Sequence, residues 1–211
     1  METNASNTSM MGFARYKKRE GVEVETLIQA CMKWRSQFLE HQEGIIKHYF
    51  LGNLKGEFAD AIFARDQAAY QNMAQRYPEN GSSKTLMTLL EPGSIRLAPT
   101  TILKDSVNIE TDFSCIEFGT FQPKKEANFS EDQLLAVSKK IEDDYLAQQP
   151  ETREHFIGKV DKATYAEVAF VKTLGAARKI CHNYVNVPIC GEMLTMFDSE
   201  TVDVDFWYLL A

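Results

Sequence analysis

Two pairs of ionisable side chains recur at one spacing in this chain of 211 residues. His48 and His155 are separated by 107 positions, and Asp60 and Glu167 repeat that spacing. Imidazole exchanges protons near neutral pH and can also bind a metal or haem iron. A carboxylate between apolar neighbours needs a hydrogen-bonding partner. These four residues are therefore the candidate catalytic groups. A histidine and a carboxylate that face each other form a couple able to act as acid and base.

Whether a couple forms depends on how two predicted strands pair. His48 belongs to a strand at 45–51 and Asp60 to the next strand at 58–65. In one register, the residue numbers of each cross-strand pair add up to an even total. His48 and Asp60 then face the same side of the sheet. If the total is odd, His48 lies beside Ala61 and Phe63 instead. In the structural alternative, each histidine is hydrogen-bonded across the sheet and stabilises the fold.

These residues belong to a longer internal repeat. Residues 12–104 and 119–211 align without a gap at the 107-residue shift, so that Gly12 matches Gly119. Each copy is predicted to contain one β-α-β-β-α-β unit, with first strands at 11–17 and 118–124. Its first helix carries an apolar stripe that packs into a core. Residues 1–11 are predicted to be a disordered tail and residues 105–118 a linker.

A four-stranded antiparallel sheet with both helices on one face leaves its other face uncovered. Two such units can cover each other by packing sheet on sheet. The predicted fold class is therefore α+β, with two ferredoxin-like repeats packed sheet on sheet as a pseudo-dimeric α+β barrel. The chain is expected to be a monomer with an internal pseudo-two-fold axis or a homodimer.

Four segments carry a resemblance to known proteins, namely 34–38, 42–46 with its glycine-led strand, 58–63 and 66–70. Through them the chain resembles the dimeric α+β-barrel superfamily, which includes antibiotic-biosynthesis-monooxygenase-like proteins and haem-degrading enzymes. The resemblance implies a ligand site between sheet and helices or within the barrel. It also implies cofactor-free oxygenation, haem handling or binding alone. Monooxygenase-like members commonly have a tryptophan where this chain has Ala64 and Val171.

The predicted function is a small-molecule enzyme or ligand-binding protein that acts on an apolar or aromatic compound. Cofactor-independent monooxygenase-like activity is its enzymatic form, with Phe50, Phe58 and Tyr165 as candidate substrate-binding residues. In one alternative the same aromatics fill the interior of a non-catalytic interaction or ligand-sensing protein. In another, one of the two repeated histidines binds haem. Tyr77 and Tyr184, also 107 positions apart, are predicted to close the core.

Composition limits the partners. A net charge of -7 argues against nucleic acid, which normally needs a basic face. No apolar run approaches the roughly 20 residues that cross a bilayer, so no membrane partner is expected. The four cysteines lack C-x-x-C spacing, and no metal is predicted. Without a secretion signal at the N-terminus, the expected location is cytoplasmic.

Overall fold

A computed structural model describes residues 8–109, 112–124 and 129–211. Two compact units divide the chain. Unit 1 contains the described residues up to Thr101 together with Leu209–Ala211, and unit 2 contains Ile102–Tyr208. The described part contains no helix that is long and apolar enough to cross a membrane.

The first half of the chain forms four strands and three helices. In chain order they are β1 (Met10–Tyr16), α1 (Val24–Gln37), β2 (Ile45–Gly52), β3 (Phe58–Ala64), α2 (Gln67–Arg76), α3 (Gly81–Thr88) and β4 (Arg96–Ile102).

The second half repeats this order. Its elements are β5 (Cys115–Phe121), α4 (Glu131–Asp144), β6 (Thr152–Lys159), β7 (Tyr165–Val171), α5 (Leu174–Tyr184), α6 (Pro188–Thr195) and β8 (Asp203–Leu209). Every element except β5 begins 107 residues after its counterpart.

All the ladders described here are antiparallel. In unit 1, β1 lies between β3 and β4, and β2 pairs with β3. In unit 2, β5 lies between β7 and β8, and β6 pairs with β7. The hydrogen-bonded order β1-β3-β2-β8-β5-β7-β6-β4 closes into a barrel, so the predicted fold class is confirmed. The bounds predicted for the two repeats and the linker stay a prediction.

The strand register brings each histidine to the face that carries its carboxylate. His48 pairs with Ile62 and Phe50 pairs with Asp60, which is the even-total register. In unit 2, His155 pairs with Ala169 by the same rule. Because alternate residues of a strand share a face, each histidine and its carboxylate point to the same side of their sheet.

The gapless alignment of the two repeats is wrong at the first strand. Ala14 pairs with Asp60, whereas Gly119 pairs with Glu167, so Gly119 corresponds to Ala14. The connection from β5 to α4 is longer by two residues than the connection from β1 to α1. β5 accordingly begins at Cys115 rather than at 118, within the predicted linker.

The other first-strand prediction needs a smaller correction. β1 begins at Met10, so the last two residues of the predicted tail are strand. Residues 1–7 of that tail lie outside the described residues.

The helices are placed by caps and by apolar stripes. Asp66 caps α2 by accepting a hydrogen bond from the Ala69 backbone N–H, and Thr173 caps α5 in the same way. The predicted stripe of α1, which includes Leu27 and Trp34, lies in the core of unit 1. Each core therefore holds its helices against the sheet face that carries the histidine.

Candidate functional site

The ring of His48 has a fixed tautomer in unit 1. Arg35 donates from Nε to His48 Nδ1 over 3.0 Å. Because a guanidinium group only donates, Nδ1 accepts and the ring proton lies on Nε2. That Nε2–H donates to Asp60 Oδ1 over 2.7 Å, and both side chains are buried. The first predicted couple is therefore formed.

Asp60 receives two further hydrogen bonds. The Tyr16 hydroxyl donates to Oδ2 over 2.8 Å, and the Cys31 thiol donates to Oδ1 over 3.4 Å. Burial, and then the charge of Asp60, raise the pKa of the Tyr16 hydroxyl and of the Cys31 thiol. Both groups thus keep their protons, and this carboxylate accepts three hydrogen bonds.

Cys31, His48 and Asp60 are close enough to suggest a metal site, since their ligand atoms lie within 4.8 Å of one another. A histidine that binds a metal through one nitrogen normally carries its proton on the other and donates it outward. Arg35 imposes the opposite arrangement, with the proton on the nitrogen that faces the cluster. The three residues therefore fit a hydrogen-bond network and do not fit a metal centre.

His155 has a different environment in unit 2. Its Nδ1 lies 3.2 Å from Glu142 Oε1, and its Nε2 lies 3.0 Å from Glu167 Oε1. Burial opposes a charge on this ring. Hydrogen bonds to the two carboxylates, and their charges, outweigh burial and raise the pKa of His155 to about 9. The second couple is thus formed as an imidazolium between two carboxylates.

Haem does not fit either repeated histidine. Iron binds a ring nitrogen that carries no proton and has space beside it. Both ring nitrogens of His48 are occupied by hydrogen bonds, and so are both of His155. Each ring is also almost fully buried, at 2% and 3% side-chain exposure.

A cavity of about 200 Å³ lies between the sheet and the helices of unit 2. Glu117 and Glu167 both line it, together with Cys181 and Tyr184, and most of the remaining wall is apolar. The Tyr184 hydroxyl donates to Glu167 Oε1 over 2.8 Å. Glu167 Oε2 accepts no hydrogen bond within the described part of the chain.

Glu117 differs from the other carboxylates of this cluster. Burial, and then the negative charge of Glu167, raise the pKa of Glu117 to about 7. Hydrogen bonding with the Cys181 thiol and the positive charge of His155 oppose part of that effect. Two carboxyl groups in different environments thus face one cavity, an arrangement that can supply a base and an acid near neutral pH.

Unit 1 has a related cavity of about 250 Å³. Asp60 and Tyr77 line it at the positions that Glu167 and Tyr184 hold in unit 2. Trp34 lines it too, and its buried Nε1–H has no hydrogen-bond partner among the residues described. Both cavities lie between sheet and helices, one of the two places that the family resemblance implies.

The predicted substrate-binding aromatics lie elsewhere. Phe50 and Phe58 stack with their ring centroids 5.9 Å apart in the core of unit 1. Tyr165 is buried in the core of unit 2, where its hydroxyl donates to Glu131. None of the three lines either of these cavities. Tyr77 and Tyr184 do line them, in addition to packing against the cores.

Sequence reasoning did not single out Glu117, Arg35 or Glu142. Glu117 stands between two apolar residues, Ile116 and Phe118, a sequence feature that indicates a carboxylate in a buried strand. The gapless alignment places it in the predicted linker. Arg35 and Glu142 are equivalent positions of the repeat and carry opposite charges. This reversal of charge is the feature of the sequence that could have drawn attention to them.

No protein-family model and no curated protein sequence matches the chain. Solved structures do match. A proposed monooxygenase from Fusobacterium nucleatum has a TM-score of 0.69 at 11% identity, covering 97% of this chain and 93% of that one. An anthrone oxidase-like protein has a TM-score of 0.66 at 12% identity, covering 99% and 94%. A heme-binding protein from Thermus thermophilus has a TM-score of 0.64 at 8% identity, covering 97% and 92%.

These likenesses concern the fold. The chain has the dimeric α+β-barrel fold, built from ferredoxin-like units, that such monooxygenase-like proteins share. The resemblance that the sequence suggested is therefore confirmed at the level of the fold.

Proposed function

We propose that the cavity of unit 2 is an acid–base site for a compact, largely apolar aromatic compound with an enolisable carbonyl group or a phenolic hydroxyl. The observation that carries this proposal is that Glu117 and Glu167 line one apolar cavity, with Glu167 Oε1 held by His155 and Tyr184. A largely apolar cavity of about 200 Å³ suits a compact aromatic compound.

The two carboxyl groups have separate roles in this proposal. Glu167 accepts the proton of the bound compound on Oε2, the oxygen without a hydrogen bond in the described structure. Glu117, whose pKa is raised to about 7, donates a hydrogen bond to the oxygen on which negative charge develops. His155 and Tyr184 position Glu167, and the apolar wall strengthens these interactions by excluding water.

Reaction with dioxygen is the finer part of the proposal, and its support is the fold shared with an anthrone oxidase-like protein. Loss of a proton leaves an electron pair on carbon, which forms a C–O bond with dioxygen. The resulting peroxide anion takes up a proton to give a hydroperoxide. Loss of the second proton from the same carbon then forms the C=O bond as the O–O bond breaks, and the departing hydroxide takes up a proton to leave as water. A CH2 group and O2 thus become C=O and H2O, with no cofactor required in this scheme.

A cytoplasmic location and a monomeric or homodimeric state belong to the proposal as well.

The test uses 4-nitrophenol, whose colour reports ionisation, and anthrone with an oxygen electrode. Glu167→Gln is expected to abolish ionisation of the bound phenol and oxygen uptake with anthrone. Leu194→Phe fills the unit 2 cavity and is expected to prevent binding there, whereas Met87→Phe, the equivalent change in unit 1, leaves the ionisation intact. Ionisation that survives Glu167→Gln would contradict the assignment of the base.

Unit 1 supports a second candidate function, binding without catalysis. Asp60 accepts hydrogen bonds on both of its oxygens, so unlike Glu167 it offers no oxygen without a hydrogen bond. The unpartnered Trp34 Nε1–H can donate to a ligand carbonyl in the 250 Å³ cavity. An aromatic ketone should then change the fluorescence of Trp34, and Met87→Phe should remove that change. A ketone response that Met87→Phe leaves intact would exclude this cavity.

A further inference from the structure

His155 joins two openings of unit 2. On its Nε2 side, Glu167 lines the cavity described above. On its Nδ1 side, Glu142 lines a separate groove of about 500 Å³ between α4 and the segment after β4. The ring itself is 3% exposed, while the two carboxylates are 22% and 19% exposed. A buried imidazole thus lies between two carboxylates, one of which lines the cavity and the other the groove.

We infer that Glu167, His155 and Glu142 form a proton relay between the unit 2 cavity and solvent in the groove beside α4. This inference rests on the proposed function, because it concerns the proton that His155 releases when Glu167 takes one from the bound compound. With the compound in place, the cavity itself is filled, and the groove offers the proton a different path.

The steps of the relay balance. When Glu167 gains a proton from the compound, an O–H bond forms on Glu167. His155 then loses its Nδ1 proton to Glu142, and solvent in the groove removes it from Glu142. The cluster holds the same number of protons as before, and one proton has reached solvent. The reverse sequence restores the imidazolium when Glu167 returns its proton to the product.

Unit 1 provides an internal comparison. Arg35 holds the position of Glu142, and its Nε–H donates to His48 Nδ1. A guanidinium group has no site that can accept a proton, so the same route is closed there. The relay therefore depends on one helix position, which is basic in unit 1 and acidic in unit 2.

Lys104 and Glu154 lie beside Glu142, on the Nδ1 side of His155. Lys104 Nζ donates to Glu142 over 2.9 Å, to Glu154 over 2.7 Å and to the His155 carbonyl over 2.8 Å. Glu154 also accepts from the His155 backbone N–H, but it does not touch the imidazole ring. Glu154→Gln therefore removes a neighbouring carboxylate without interrupting the path, which makes it a matched control.

The experiment is a stopped-flow pH jump on the complex with 4-nitrophenol. Glu142→Gln, and Glu142→Arg, which installs the residue of unit 1, are expected to slow ionisation of the bound phenol about tenfold or more. The binding constant for 4-nitrophenol should change little. Glu154→Gln should keep the wild-type rate.

Equal rates in the wild type and in both Glu142 variants would overturn the relay and leave the acid–base site standing. Wild-type protein that binds the phenol without ionising it would overturn the proposed function, and the relay with it.

Discussion

Arg35 and Glu142 occupy equivalent positions of α1 and α4, and each contacts the Nδ1 atom of the histidine in its own unit, over 3.0 Å and 3.2 Å. One donates and the other accepts. The charge at this single position therefore decides whether the neighbouring imidazole carries one proton or two, although the backbone around both rings is the same.

The two histidines should consequently give different 15N NMR signatures at pH 7. His48 is expected to show a proton on Nε2 alone, and His155 a proton on both ring nitrogens. Arg35→Glu should give His48 the two-proton signature, since a carboxylate then accepts from Nδ1. Observing a proton on His48 Nδ1 in the wild type would contradict the tautomer assigned here.

Removing the charge of Asp60 should destabilise the protein strongly. Asp60→Asn places an amide where Tyr16, Cys31 and His48 all donate, and we expect a loss of about 3 kcal/mol in the free energy of unfolding. Tyr16→Phe removes one donor and should cost about 1 kcal/mol. Urea unfolding measures both.

The control for this comparison is Tyr165→Phe. The Tyr165 hydroxyl donates to the partly exposed Glu131, so the cost should be below about 0.5 kcal/mol. If Asp60→Asn costs no more than Tyr165→Phe, the buried network does not stabilise unit 1.

Stability should fall as the pH rises from about 5 to 9. The pKa of His155 is raised from 6.5 to about 9, so its stabilising contribution is complete below pH 6.5 and is lost as the pH rises through 9. That contribution is at most about 3 kcal/mol. Glu142 and Glu167 contact this ring. Lys104 bonds Glu142, Tyr184 bonds Glu167, and Glu117 interacts with the ring through its charge.

Ionisation of Glu117 also lowers the stability of the protein as the pH rises, but over a lower pH range. Its pKa is raised from 4.5 to about 7, so its ionisation costs stability progressively between those values. Unfolding free energies at pH 5, 7 and 9 should decline for the wild type. Glu117→Gln should flatten the first interval, and His155→Gln the second. A wild-type profile that rises with pH would refute both assignments.

The ring of Tyr70 leaves no space for a side chain at position 12, where the chain has glycine. A Cβ atom at Gly12 would lie 2.2 Å from Tyr70 Cε2, so Gly12→Ala should cost about 2 kcal/mol through overpacking. A second change, Tyr70→Val, should relieve most of that cost in a double-mutant cycle. Gly119→Ala meets Val204 Cγ2 at 2.8 Å, where a partly exposed side chain can turn, and should cost less. Additive costs for Gly12→Ala and Tyr70→Val would show that the ring is not the obstacle.

The fold was more accessible from the sequence than the site. Apolar periodicity and the 107-residue repeat predicted the helices and most strands, because burial of one face dictates those patterns. The hairpin register was left open, since β2 and β3 are apolar on both faces and a slip of one residue satisfies burial equally well. An irregular pairing between Ile45 and Lys47 also shifts the register, and no periodicity marks it.

The site depended on features that a pattern does not contain. Glu117 reaches the cavity because β5 is displaced by two residues relative to β1, and a longer connection to α4 allows this. In the sequence, Arg35 and Glu142 have the appearance of ordinary exposed helix charges. Their role becomes visible only when the distance from each to a histidine ring is known.

The division of the chain into two units predicts how a fragment of the protein should behave. Phe50 of β2 forms backbone hydrogen bonds with Leu210 and Ala211, so the sheet of unit 1 is completed by the last residues of the sequence given. A fragment ending near residue 101 would expose the edge of β2. Such an edge recruits a strand from another molecule, so this fragment should self-assemble rather than persist as a monomer.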